Sequence, residues 1–274
     1  MIKFGCCINM FATNADPLGL NTLATLAANG FDYVEIPLAQ TMELDDTEFA
    51  AAIKYLQSIG IPCEACNNFF PAHIKLTGSN VCETTIEQYM DKAIHRANKL
   101  GAKVIVFGSS GARNVAPGFD VTDALCQLVG ALKMASVKAT PHGINIAIES
   151  LNKTESNIIN SLTEGAHLAK LVNCPNVGLL VDFYHMETEN EPVDVIKTLA
   201  DDGAIFMHAH IADALTGRGL PLDKSRLAPF ANALKSINYN GKLSVEGYST
   251  NPAAEIKLAR ETLAALFQGV PPIC

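Results

Sequence analysis

The sequence predicts an α/β protein folded as a single (β/α)8 (TIM) barrel over residues 1–274. Three observations lead there. Short runs rich in Val, Ile and Phe alternate along the chain with longer segments whose apolar residues recur at helical spacing. Several helical segments end in Gly with a strand close behind, as in "SIGIPCEAC", "KLGAKVIVF" and "YNGKLSVE", which is the punctuation of repeated βα units. The turn after the first strand, "CINMFATNADP", lacks the Gly-rich dinucleotide fingerprint expected of the alternative, a doubly wound open sheet.

The elements follow in order. "IKFGCCI" from Ile2 is the first strand, and "PLGLNTLATLAANG" the first helix, with Pro17 suited to its first turn and Gly30 to its stop. "DYVEI" from Asp32 and "IPCEAC" from Ile61 are the second and third strands. The loop "CNNFFPAHIKLTG" carries Phe69 and Phe70, which suit either a pocket wall or the core. "TTIEQYMDKAIHRANKLG" places Ile86, Met90, Ala93, Ile94 and Ala97 on one helical face, with Gly101 as terminator. "KVIVF" from Lys103 is the fourth strand. Its loop "FGSSGARN" offers amides and Arg113, and reads as an ordinary polar loop rather than an anion nest, because barrel phosphate sites more often follow strands seven and eight. "INIAIE" from Ile144, "VGLLVD" from Val177, "IFMHAH" from Ile205 and "KLSVE" from Lys242 complete eight strands, and "EIKLARETLAALFQG" is the closing helix.

Composition narrows the function. With 49% hydrophobic and 18% charged residues, the chain is a compact globular protein rather than a disordered or fibrous one. A net charge of -8 without any Lys/Arg-rich block argues against nucleic acid as a partner. No apolar run approaches a membrane span, and "MIKFGCCINMF" has no signal-peptide pattern, so the expected location is cytoplasmic. The eight cysteines are scattered and read as reduced. Cys63 and Cys66 form a CxxC, but no second pair accompanies them, and residues three apart on a regular strand face opposite ways. Buried thiols are the better reading.

The chemistry lies at the strand ends. Barrel active sites are built at the C-terminal ends of the strands. From the fifth strand onward those ends carry Glu149, Asp182, His208 or His210, and Glu246. Any one could be a helix cap, a satisfied core residue or a solvated acid. Four ionisable groups around one mouth would instead repel one another and shift several pKa values unless a cation sat among them. Oxygen ligands with one nitrogen suit Mn²⁺, Mg²⁺ or Co²⁺. His208 and His210 share a face, so one suffices as ligand and the other is an outer-layer or substrate contact.

Four segments carry a resemblance to the xylose isomerase-like barrels, in particular to the ketose 3-epimerases and hydroxypyruvate isomerases. "IESLNKTE" resembles the epimerase segment in which a metal-binding Glu is followed by a substrate-binding Glu, implying Glu149 and Glu155. "VDFYH" is similar to a segment with a metal-binding Asp and a substrate-contacting His, implying Asp182 and His185. "HAHIAD" resembles the seventh-strand segment whose second His is the ligand, implying His210, and "SVEGY" the segment with the last ligand, Glu246. The substrate-holding Arg of these families corresponds to Arg218, set a couple of residues later here. The resemblance implies one divalent metal ion, a small ketose as substrate, a homo-oligomer (dimer or tetramer), and Glu149 and Glu246 as an acid/base pair acting through an enediolate. His185, Arg218, Glu155 and His208 would then contact the substrate. Aldose–ketose isomerisation of hydroxypyruvate or a sugar phosphate is the alternative. Endonuclease IV-type repair enzymes share the superfamily but cluster more His and acidic ligands around several zinc ions, and a non-catalytic sugar-binding descendant would be free to lose ligands that this chain retains.

Overall fold

A computed structural model describes residues 2–267. Eight parallel strands close into a barrel: β1 (Lys3–Cys7), β2 (Tyr33–Pro37), β3 (Cys63–Asn67), β4 (Val104–Phe107), β5 (Asn145–Glu149), β6 (Val177–Asp182), β7 (Phe206–Ile211) and β8 (Lys242–Val245). Closure is made by β1 against β8, with Lys3 opposite Lys242 and Cys6 opposite Val245. The helices are α1 (Leu23–Ala28), α2 (Leu38–Glu43), α3 (Asp46–Ile59), α4 (Glu83–Leu100), α5 (Ser110–Arg113), α6 (Val121–Ala139), α7 (Leu162–Val172), α8 (Phe183–Thr188), α9 (Asp194–Asp201), α10 (Lys224–Ser236) and α11 (Pro252–Phe267). All eight expected strands form. Gln268 and Gly269, which end the expected closing helix, lie outside the described residues.

Local chemistry sets the helix ends. Asp45 and Glu48 form a capping box at α3, and Asp120 accepts the Thr122 and Asp123 amides at α6. α4 buries the face read from its sequence, and the left-handed Gly101 (φ +99°) ends it. The first helix starts later than Pro17 suggests. Asp16 accepts the Gly19, Leu20 and Asn21 amides, Gly19 turns left-handed, and a 3-10 turn leads into α1 at Leu23.

Two register shifts matter. Val34 pairs with Cys63 but Glu35 with Ala65, so β3 carries an extra residue, and Cys63 and Cys66 both pack into the outer core. The opposite-face argument therefore fails at this bulge, although both thiols are buried and no candidate metal grouping among the described residues includes them. A second shift, between Leu179 and Leu180, adjusts β6 against β7.

The barrel interior is filled in its lower part by Tyr33, Ala65, Val104, Val106, Ala147 and Leu180, with Met207 against them. Gly5 is needed there: a Cβ on it would lie 2.2 Å from the Tyr33 ring. Phe69 and Phe70 are both buried, and Phe70 also lines a cavity of about 400 Å³ with Asn68, Ser109 and Gly111. Arg113 is fully buried, with Nη1 donating to the Phe107 carbonyl at 2.8 Å; it does not form an open anion nest. No helix among the described residues is long and apolar enough to cross a membrane.

Candidate metal centre

Strand alternation turns the last inward positions of β5, β6 and β7, and the residue after β8, toward one mouth. Glu149, Asp182, His210 and Glu246 each present a ligand atom there, all within 4.8 Å of one another. All four are buried. His210 Nδ1 lies 3.1 Å from Glu246 Oε2 and 3.4 Å from Glu149 Oε1. Two further groupings of candidate ligands, Cys7 with His210 and Glu246, and Glu35 with His208 and His210, share His210 with this one.

The donor atoms fit a cation. Asp182 has two duties: Oδ1 accepts the Tyr184 amide at 2.8 Å and caps α8, whereas the buried Oδ2 has no hydrogen-bond partner. Glu149 Oε1 is likewise buried and unpartnered. Orphaned carboxylate oxygens are costly, and two of them gathered with a Glu246 carboxylate and the His210 imidazole within 4.8 Å make a site for a hard divalent ion.

Arg218 brings a guanidinium to this mouth. Its Nη2 lies 2.5 Å from Glu246 Oε2 and 3.8 Å from Asp182 Oδ2, Nη1 lies 3.5 Å from Glu155 Oε1, and the group stacks 4.7 Å from the Tyr184 ring. Gly217 and Arg218 are consecutively left-handed (φ +71° and +69°), doubling the loop back, and Arg218 N and O are tied to Asp213 O and Tyr248 N. A non-Gly residue held left-handed costs backbone strain, and the two hydrogen bonds to Asp213 and Tyr248 hold Arg218 there.

His185 sits beside the cluster, Nε2 3.5 Å from Asp182 Oδ2. Burial, with Arg218 adding to it, drives its pKa down to about 3, so the ring is neutral. Asn152 donates its backbone and side-chain N–H groups to Nδ1 (3.1 and 3.0 Å), so Nε2 carries the proton, and that N–H has no protein partner. Asn152 also holds Glu155, Nδ2 to Oε1 at 2.9 Å. The sequence reading passed over Asn152, although it lies between the two glutamates it organises. It also missed Asn67, whose Nδ2 is 2.9 Å from Asn9 Oδ1 and 3.4 Å from Glu246 Oε1.

One expected substrate contact is corrected. His208 is fully buried one inward position below His210, and its Nε2 is bound to Glu35 Oε2 at 2.7 Å. It faces the barrel interior rather than the mouth, because successive inward residues of a strand occupy successive layers.

Burial raises the Asp182 pKa to about 7, with Arg218 only partly offsetting it, and burial also raises Glu149. Glu246 goes the other way: burial opposes its charge, but Arg218 and His210 hold it at about 2. His210 is raised despite burial, chiefly by Glu35. Below about pH 7 a cation must therefore displace a proton from Asp182, and His210 adds a penalty of the same sign. Mn²⁺ affinity of the metal-free protein is expected to rise with pH through about 7, as read by electron paramagnetic resonance of free Mn²⁺. Glu149 is also positioned by the absence of a side chain at Gly108, where a Cβ would meet its Oε2 at 1.8 Å. Gly108→Ala is expected to weaken Mn²⁺ binding by about 10–100-fold while circular dichroism shows an unchanged fold.

With this geometry in view, the sequence profile of the xylose isomerase-like TIM barrels matches residues 23–268. An L-ribulose 3-epimerase of Methylomonas sp. (strain DH-1) is 27% identical over 228 residues, 83% of this chain and 78% of that one. A 2-oxo-tetronate isomerase of Pectobacterium atrosepticum is 34% identical over 163 residues, 57% of this chain and 59% of that one. The crystal structure of a D-allulose 3-epimerase from Methylomonas sp. in complex with D-allulose superposes with a TM-score of 0.82, covering 97% of each chain at 23% identity, and has the same fold.

Proposed function

This chain belongs to the xylose isomerase-like TIM-barrel family, and from that premise we propose that it is a divalent-metal-dependent ketose 3-epimerase with Glu149 and Glu246 as its acid/base pair. The carrying observation is the mouth itself: Glu149, Asp182, His210 and Glu246 converge, with two carboxylate oxygens left without partners. The relatives are sugar epimerases and isomerases, and the chain is an enzyme of that broad kind. Mn²⁺, Mg²⁺ or Co²⁺ suits the three carboxylates and one imidazole. When bound, such an ion supplies Lewis acidity, stabilising the negative charge that develops on substrate oxygens as a carbon-bound proton leaves.

The protein's own groups do the rest. Glu149 and Glu246 end different strands on either side of His210, so a substrate carbon held between them presents one face to each carboxylate. One removes the proton and the other returns one from the opposite face, which inverts that carbon. Their environments push their pKa values apart, Glu149 upward through burial and Glu246 downward through Arg218 and His210, a difference expected of two carboxylates in different protonation roles. The His185 Nε2–H donates to a substrate oxygen, Arg218 binds a second, and Glu155, held by Asn152, accepts from a hydroxyl.

A free sugar fits better than a phosphorylated one. Between the loops after β7 and β8, where barrels commonly hold phosphate, a cavity of about 350 Å³ is lined by Asp213, Asp223 and Glu255 together with Thr216, Ser249 and Thr250. Those acids repel a phosphate. A second reading, isomerisation of a short 2-oxo acid, is favoured by the Pectobacterium relative. Incubation of the Mn²⁺-loaded enzyme with unphosphorylated ketoses, ketose phosphates, hydroxypyruvate and 2-oxo-tetronate separates the readings by product. A C3 epimer from an unphosphorylated ketose supports the proposal, and conversion of the oxo acids alone overturns it.

A further inference from the structure

One buried charge has no place in the mechanism above. Glu35 is wholly enclosed in the barrel, and its only charge partners among the described residues are His208 and His210. A carboxylate there is far costlier than the Val, Leu or Ile that usually fill such layers. Its hydrogen bonds indicate what holds it there. Oε2 accepts from His208 Nε2 at 2.7 Å and from Ser244 Oγ at 2.6 Å, which fixes the carboxylate plane. Oε1 is left for His210 Nε2, at 3.0 Å. Ser244 Oγ in turn accepts from the Tyr33 hydroxyl at 2.8 Å, and Tyr33 occupies the space that Gly5 leaves open.

We propose that Glu35 is a positioning residue for the metal centre: by taking the Nε2–H of His210 from inside the barrel, it turns the Nδ1 lone pair toward Glu149 and Glu246, while His208 and Ser244 lock Glu35 in place. This rests on the reading of the mouth as a metal site. An imidazole can ligate through either nitrogen, and the hydrogen bond made by one decides which remains free for the metal. Here Nδ1 is the nitrogen near both Glu149 Oε1 and Glu246 Oε2. A second cation among Glu35, His208 and His210 is the competing explanation for the cluster. The hydrogen bonds argue against it, because both Glu35 oxygens are satisfied by donors, whereas the mouth has orphaned oxygens on Glu149 and Asp182. His208, expected from the sequence to touch substrate, therefore acts through Glu35.

The test uses the whole chain stripped of metal and titrated with Mn²⁺, free ion being read by electron paramagnetic resonance. Glu35→Gln presents an amide where a carboxylate is needed and is expected to weaken Mn²⁺ binding by about 10–100-fold. Electron spin-echo spectra of the loaded protein should show the imidazole ¹⁴N coupling of the parent altered or lost in the variant. Circular dichroism and melting of the metal-free forms separate this from unfolding. Ser244→Ala, which removes one of the donors to Oε2, is the milder variant and should give a smaller loss of affinity in a folded protein. Parent-like affinity and ¹⁴N coupling in folded Glu35→Gln, or parent-like affinity in Ser244→Ala should Glu35→Gln not fold, would overturn the positioning role alone. A parent chain that leaves all Mn²⁺ free would overturn the metal reading and this role with it.

Discussion

Glu149→Gln and Glu246→Gln are each expected to lower ketose turnover by about 10²–10⁴-fold, and the two should fail differently. A Gln amide oxygen can still face a cation, but it cannot carry the proton. In the proposed mechanism each carboxylate serves one face of the substrate carbon, so one variant should retain slow exchange of the proton on the side it has kept, without producing the other epimer. The double variant should lose both. The measurement is turnover together with solvent-deuterium uptake for each variant. Exchange and epimerisation that persist in one single variant and vanish in the other would argue for one carboxylate doing all the proton transfer. Glu149, whose pKa is raised by burial, and Glu246, held at about 2 by Arg218 and His210 against its own burial, are unequal from the start.

Arg218→Gln should move stability, metal affinity and turnover in directions that no purely structural residue would. In the metal-free protein Arg218 is the cation for Glu246, at 2.5 Å, and lies within 4 Å of Asp182 and Glu155. Removing one partner from a buried ion pair costs about 3–5 kcal/mol, so the metal-free variant should melt roughly 10 °C below the parent at about 2–4 °C per kcal/mol. Added Mn²⁺ should recover most of that loss, because the ion then supplies the missing positive charge. Mn²⁺ affinity should rise, since a competing cation has gone, yet turnover should fall because the proposed substrate contact has gone too. Thermal melts with and without Mn²⁺, a Mn²⁺ titration and steady-state kinetics check all three. A variant that binds Mn²⁺ more weakly would place Arg218 in the support of the site rather than in competition with the ion.

Strand periodicity and Gly stops were enough to place all eight strands, because burial on both faces of a closed barrel leaves dense Val, Ile and Phe runs that local sequence displays openly. The strand ends named Glu149, Asp182, His208 or His210, and Glu246, the resemblance of "HAHIAD" chose His210, and the structure gathers Glu149, Asp182, His210 and Glu246 at one mouth. What stayed hidden depended on shape. The bulge in β3 that turns Cys63 and Cys66 to the same core is set by pairing with β2, not by any residue in "IPCEAC". The first helix begins beyond Pro17 because the Asp16 carboxylate gathers three amides and Gly19 breaks the path. The left-handed pair at Gly217 and Arg218, which turns the loop back toward the mouth, is a backbone feature that the segment "HIADALTGRGLP" does not display. Glu35 escaped notice because it lies mid-strand rather than at a strand end, yet a lone Glu inside "DYVEI", in phase with the inward Tyr33, was a legible signal.

The most direct test of the account is incubation of the Mn²⁺-loaded enzyme with free ketoses in D₂O, with deuterium located by NMR. The account predicts label at the third carbon together with the C3 epimer. Label at the first carbon with appearance of an aldose, or no exchange with any ketose, would contradict it.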